Sequence, residues 1–202
     1  MDNISTFVPA NVEGKPLDIE HTVTTDSSIA ALIVYNRACK RLKNPAVWKK
    51  ISGALSADFA LFDSIREEDE RALFAGEYIS IDIPGPGSKA GNGFDWVKVE
   101  KMEENIIAGA TESFGITLRA AKNPENPGEG VAHFFDGHAT STFIIQRTGQ
   151  IIKANYYGRN EVPNTKEVTV IDKLRNGLVA TGALAGLSNL QWEALLKGLL
   201  AK

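Results

Sequence analysis

Two imidazoles and a carboxylate lie within six residues in the segment HFFDGHAT, at His133, Asp136 and His138. These groups are ligands of zinc and non-haem iron sites, and an Asp beside a His can orient a general base. The spacing is not HExxH, so a metal held by His133 and His138 would need further ligands, such as His21 or Glu161. The competing interpretation is a structural turn at Asp-Gly, and we favour the turn.

A second group of polar and aromatic residues follows a predicted strand in the segment YYGRNEVPN. Tyrosines combine apolar area with polar tips, an arginine can bind a carboxylate or phosphate with two hydrogen bonds, and the remaining side chains add donors and acceptors. The alternative is a strand-ending turn carrying a surface ion pair. We expect this segment to form a binding rim, made of Tyr156, Tyr157, Arg159, Asn160 and Glu161.

No cofactor motif is found. The loop PGPGSKAGNG, residues 84–93, fits neither GxxxxGK[ST] nor GxGxxG, and no predicted helix follows it. The sequence has no GxSxG elbow, and Cys39 falls on the apolar stripe of a predicted helix. We therefore expect no cofactor, a mobile hairpin loop at 84–93, and a Cys39 that behaves as a small hydrophobic residue.

Charge and composition argue against nucleic acid and membrane partners. The net charge is -3, and the basic cluster of residues 37–50 is predicted to form a solvated helix face. The most apolar stretch, Leu178 to Leu187, is much shorter than the roughly 20 residues of a membrane-spanning helix. With one cysteine and no signal-peptide pattern at the N-terminus, the sequence predicts a cytoplasmic protein.

The periodicity of apolar residues predicts helices near both ends. Asp26 or Ser27 can cap a helix from about 27 to 43, whose apolar stripe is Ile29, Leu32, Ile33, Asn36 and Cys39, and a short second helix begins at Pro45. A helical stripe returns after residue 166. The pair Ser188 and Gln191 fits a capping box for a last helix, SNLQWEALLKGLLAK.

Between these helices the period changes to two. Alternation predicts an antiparallel hairpin from GEYISIDI and FDWVKVEKM, a strand in SFGITLRAA, and a hairpin from TSTFIIQR and QIIKANYY joined at Thr148 and Gly149. A short strand also precedes the first helix, around Ile19 to Val23.

This order of elements predicts an α+β fold. We expect one domain, with a helical opening at 1–72, a β-rich centre at 73–165 and a helical part at 166–202. About five or six strands would form either an open antiparallel sheet or a small SH3-like or OB-like barrel.

Two functional hypotheses follow. The first is a non-enzymatic module that binds a small molecule or a protein partner, with a candidate homodimer interface at Trp192 and Leu196 of the last helix. The alternative is a small hydrolase or isomerase that uses His133, Asp136 and His138, with or without a metal.

Overall fold

The computed structural model describes residues 4–53, 56–62, 71–83, 88–105, 110, 112–164 and 183–202. Its elements in chain order are α1 Ile4–Phe7, β1 Leu17–Thr24, α2 Ser28–Leu42, a 3-10 turn Pro45–Val47, α3 Trp48–Ser52, β2 Asp58–Phe62, β3 Tyr78–Asp82, β4 Asp95–Glu104, β5 Glu112–Ala120, β6 Thr140–Thr148, β7 Ile151–Arg159 and α4 Ala183–Leu200.

The strands form an antiparallel sheet in the order β1-β7-β6-β5-β4-β3-β2. Within the described residues β1 and β2 each pair with a single neighbour, so the sheet is open and the barrel alternative is excluded. The predicted α+β class, with an antiparallel sheet flanked by helices from both ends of the chain, is confirmed.

The described part of the sheet has seven strands, more than the five or six predicted. The strand that the sequence did not predict is β2, which pairs with β3 through partners such as Phe59 and Ile81. Strand β2 is only five residues long, and Leu61 and Phe62 in its second half are both partly buried, so buried and exposed residues alternate only weakly along it. Both β1 and β2 come from the first 72 residues, so this region contributes strands as well as helices to the fold.

The hairpin of β6 and β7 is confirmed. Thr148 pairs with Ile151 across the turn, and Gly149 has a φ of 60°, a left-handed conformation that glycine adopts without strain. The hairpin of β3 and β4 is confirmed as well. The described part of its loop is packed, because Ala90 is buried and Trp96 Nε1 donates to Gly91 O at 3.2 Å.

Helix α2 begins where the sequence predicts. Ser27 is its N-cap, and the Ser27 hydroxyl accepts a hydrogen bond from Ala30 N at 3.1 Å. The predicted apolar stripe is wrong, however, because Ile29 and Ile33 are 75% and 58% exposed. Short side chains let the helix lie close to the sheet, and its buried residues are Ala31, Tyr35, Ala38, Cys39 and Leu42.

The main core lies between the helices and one face of the sheet. Its centre is aromatic: the Trp192 ring of α4 stacks on Tyr156 of β7 at 5.2 Å and meets Phe143 of β6 edge-on at 5.3 Å. Trp48 of α3 contacts Phe143 at 5.7 Å. These rings fix α3 and α4 on the sheet. The opposite face carries a smaller cluster, in which Phe7 and Val8 cover Ile144 and Tyr157.

Helix α4 already includes Ala183, so Ser188 lies inside the helix and the predicted capping box is wrong. Trp192 and Leu196, on which the dimer hypothesis rested, are buried in the core of the chain itself. The homodimer stays a prediction, and Leu190 is the exposed large apolar residue in the described part of α4. The helical stripe predicted for 166–182 lies outside the described residues. No helix in the described ranges has the length and hydropathy needed to cross a bilayer.

Candidate functional site

The predicted binding rim is divided between the two faces of the sheet. Tyr156 and Tyr157 are neighbours in β7, and side chains of neighbouring strand residues point to opposite faces. Tyr156 is fully buried under Trp192, whereas Tyr157 packs with the cluster of Phe7 and Val8 on the other face. The five side chains therefore do not share one surface.

Glu161 folds back over the end of β7 onto Tyr156. The Tyr156 hydroxyl donates to Glu161 Oε1 at 2.9 Å and lies 3.1 Å from Ser141 Oγ. Gly158 makes room for this contact, because a Cβ there would lie 2.4 Å from Glu161 Oε1. Burial raises the pKa of the Glu161 carboxyl and raises the pKa of Tyr156 well above its ordinary value. The network is a buried anchor for the turn after β7.

Arg159 and Asn160 also contact other parts of the chain. Arg159 pairs with Asp18 of β1 at 2.5 Å, and its guanidinium lies 5.4 Å from the centre of the Tyr157 ring. Asn160 has a φ of 56°, and its side chain accepts from Val12 N at 2.7 Å and donates to Ala10 O at 3.0 Å. Both residues tie N-terminal segments to β7.

The segment HFFDGHAT forms a turn. Asp136 Oδ1 accepts from His138 N at 2.8 Å, and His133 Nδ1 accepts from Phe135 N at 3.0 Å. The His133 ring stacks on Phe134 at 4.5 Å. His21 lies in β1 opposite Ala154. In the part of the chain that the structure describes, no three His, Cys, Asp or Glu residues are placed to hold a metal ion.

A half-open cavity of about 360 Å³ lies elsewhere, between α2 and the adjoining ends of β4 and β5. None of the residues in the two segments singled out from the sequence lines it. Its lining residues come from α2, the segment after α2, the segment before β3, and the two strands, and they are Tyr35, Asn36, Cys39, Lys40, Lys43, Asn44, Ala72, Glu104 and Phe114.

The floor of this cavity is apolar and aromatic. Tyr35, Cys39 and Phe114 are each at most 9% exposed. Burial raises the pKa of the Cys39 thiol to about 11 and, as the largest cause, also raises the pKa of Tyr35. Both groups are therefore protonated at neutral pH.

Beside the floor, Glu112 and Arg147 form an ion pair across β5 and β6. The hydrogen bond from Arg147 Nε holds the pKa of the Glu112 carboxyl below its usual range. Arg147 also donates to Gly149 O at 3.0 Å. The negative charge of Glu112 is thus neutralised within the protein.

The rim of the cavity is polar, with more positive than negative charge. Lys43 Nζ lies 4.3 Å from the centre of the Phe114 ring, and Lys40 is exposed one turn earlier on α2. Within the described ranges neither lysine forms an ion pair, and Glu104 is the acidic residue in the lining. Two lysines against one carboxylate favour a ligand with negative charge.

The basic cluster of residues 37–50 was predicted to form a solvated helix face, but several of its side chains contact other parts of the chain or line the cavity. Arg41 donates to Gly198 O at 2.8 Å and to Ala201 O at 2.6 Å at the end of α4, and Lys49 pairs with Asp58. Lys40 and Lys43 line the cavity. The sequence contained no local signal for the cavity, because Phe114 and Cys39 are brought together only by the packing of α2 on the sheet.

No protein-family model matches this chain, and no curated protein sequence matches it. Solved structures with some likeness include a protein from Arthrobacter aurescens, with 12% identity, a TM-score of 0.41, and coverage of 91% of this chain and 86% of that one. A protein from Mycobacterium smegmatis has 16% identity, a TM-score of 0.38 and coverage of 90% of both chains.

The norcoclaurine synthase of Thalictrum flavum is another such structure, with 15% identity and a TM-score of 0.37, over 93% of this chain and 87% of that one. Values this low give no information about what this chain binds or does.

Proposed function

We propose that this protein is a non-enzymatic ligand-binding module whose site is the cavity between α2 and the ends of β4 and β5. The observation that carries the proposal is a half-open space of about 360 Å³ with an aromatic floor and two lysines on its rim. Small-molecule sites are concave, mostly apolar, and commonly about 300 to 1,000 Å³ in volume, with a few polar groups that orient the ligand. The volume of the cavity lies at the small end of this range, and its charged groups lie on the rim.

The chemistry of the floor supports recognition over turnover. A nucleophilic cysteine needs a lowered pKa, but burial raises that of Cys39 to about 11. The pKa of Tyr35 is raised as well, so its hydroxyl is not a base at neutral pH. The two side chains also hydrogen-bond each other, so these polar groups already have a partner within the floor. A cytoplasmic location remains part of the proposal, because a single free cysteine suits a reducing compartment.

The test uses opposite changes of volume at one position. Cys39→Met fills the cavity from its floor with a flexible side chain, whereas Cys39→Ala enlarges it. We would record amide chemical-shift changes by NMR while adding a set of chemically diverse small molecules to each protein. Shifts should concentrate at Tyr35, Cys39 and Phe114 in the wild-type protein, persist in the alanine variant and disappear in the methionine variant.

Thermal unfolding of both variants shows whether the fold is intact. The proposal is wrong if no molecule of the set perturbs the cavity residues of the wild-type protein. It is equally wrong if the folded methionine variant binds the same molecules as well as the wild-type protein does.

A further inference from the structure

We infer that the ligand of this cavity is a single-chain anionic amphiphile, such as a fatty-acid carboxylate, whose chain lies along the exposed side of α2. This inference rests on the proposed function and specifies its ligand class. The observation behind it is a continuous stripe on α2 that is apolar at one end and cationic at the other. In chain order the stripe is Ile29, Leu32, Ile33, Asn36, Lys40 and Lys43.

These six residues share one side of the helix. At 3.6 residues per turn their directions fall within about 100° of one another around the axis. Three of them, Asn36, Lys40 and Lys43, line the cavity. The stripe is therefore continuous with the cavity along its cationic half.

The apolar half is unusually exposed. Ile29, Leu32 and Ile33 are 75%, 38% and 58% exposed, although the same helix buries two alanines against the core. Single exposed apolar residues are normal in proteins, but three within one helical turn form a contiguous patch of the kind that marks a binding surface.

The cationic half can receive a carboxylate. Lys43 is held by a contact with the face of Phe114, and neither it nor Lys40 has an ion-pair partner among the residues described. A cation over an aromatic ring at an open site is weakly bound, so the Lys43 ammonium can turn toward an anion. Glu104 opposes an anionic ligand, but it faces two positive charges.

The dimensions agree with a chain of moderate length. Ile29 and Lys40 are eleven residues apart, which corresponds to about 16 Å along the helix axis at 1.5 Å per residue. This length suits dodecanoate, with its carboxylate at the lysines and its methyl end over Ile29. A shorter chain leaves part of the patch uncovered.

The first experiment compares three probes with the same chain, dodecanoate, dodecanol and dodecyltrimethylammonium, with the two ionic probes below their micelle concentrations and dodecanol below its solubility limit. We expect dodecanoate to bind most tightly by calorimetry, dodecanol about 5-fold more weakly, and the cation more weakly still. Affinity should rise about 2- to 4-fold per added methylene from octanoate to dodecanoate. Equal affinity for dodecanoate and dodecanol would overturn the inference.

The second experiment uses matched variants. Lys40→Gln should weaken dodecanoate binding about 3-fold and Ile29→Gln about 5-fold. The controls are Lys50→Gln, an exposed lysine outside the cavity, and Leu190→Gln, a leucine 66% exposed on α4, and neither should change the affinity. Equal effects of the test and control variants would refute the placement of the chain along α2.

The outcomes separate this inference from the proposed function. If diverse small molecules perturb the cavity residues but dodecanoate does not bind, the ligand class is wrong and the binding module stands. If nothing perturbs the cavity, both fail. Binding to vesicles of phosphatidylcholine and phosphatidylglycerol without binding of monomeric dodecanoate would overturn the inference in favour of a lipid surface.

Discussion

Replacing Gly198 by alanine is expected to destabilise the protein, although alanine is the better helix former. Gly198 lies in α4 where this helix meets α3. A Cβ at this position would be 2.2 Å from the carbonyl oxygen of Ile51 and 2.7 Å from its carbonyl carbon. Because the obstacle is backbone, no side-chain rotation relieves the contact, and the two helices must move apart.

The two opposing effects can be compared. Alanine gains about 1 kcal/mol over glycine in a helix interior. Overpacking at a helix contact costs about 1 to 3 kcal/mol. Moving α4 also disturbs the bond of 2.8 Å from Arg41 to Gly198 O, and a hydrogen bond involving a charged group contributes about 1.5 to 3 kcal/mol. The net expectation is a loss of about 2 kcal/mol, or a Tm lower by about 4 to 8 °C for a chain of this size.

The assay is urea unfolding followed by tryptophan fluorescence, since Trp48 and Trp192 are buried in the core. Asn189→Ala is the matched control, because Asn189 is exposed on the same helix and should gain about 0.5 kcal/mol from helix propensity alone. If Gly198→Ala were as stable as the wild-type protein while the control showed its gain, the close approach of α3 and α4 would be refuted.

Three further predictions concern titratable groups. Because burial raises the pKa of Glu161, its contribution to stability is present below the unfolded-state pKa and lost as pH rises through the folded-state value. The free energy of unfolding of Glu161→Gln, measured in urea, should therefore increase relative to that of the wild-type protein as pH rises above the ordinary carboxyl pKa of about 4.3. The opposite trend would contradict this. With its pKa raised to about 11, Cys39 should react with iodoacetamide about 100-fold more slowly in the native than in the unfolded protein at pH 8, and equal rates would argue against burial. Because Asp136 Oδ1 and His133 Nδ1 accept backbone hydrogen bonds within the turn, the turn interpretation predicts that EDTA leaves the Tm unchanged; a chelator-sensitive Tm would instead support a metal at His133 and His138.

Elements with local signals were predicted well from the sequence. Ser27 caps the start of α2 with its side chain. Pro45, whose backbone angle is fixed by its ring, begins the 3-10 turn that follows α2. The turn at Gly149 joins two nine-residue strands that are rich in β-branched and aromatic residues. Such features depend on residues close together in the chain, so a single sequence contains them.

The orientation of α2 depended on distant residues. Hydrophobicity alone assigns Ile29 and Ile33 to the core, but the side of α2 that is buried carries Ala31, Tyr35, Ala38, Cys39 and Leu42. The cavity has the same origin, since its floor joins Cys39 to Phe114, which is 75 residues away. The periodicity within each segment does not predict that two residues so far apart in the chain come into contact.

The rule that divides the predicted rim was nevertheless available from the sequence. Consecutive residues of a strand point to opposite faces, so a strand containing both Tyr156 and Tyr157 must send them apart. In a helix the opposite holds, because residues three or four apart share a side, as Lys40 and Lys43 do. In this chain polar residues at helical spacing are therefore better candidates for one binding surface than adjacent polar residues at the end of a strand, and Lys40 and Lys43 do line the same cavity beside α2.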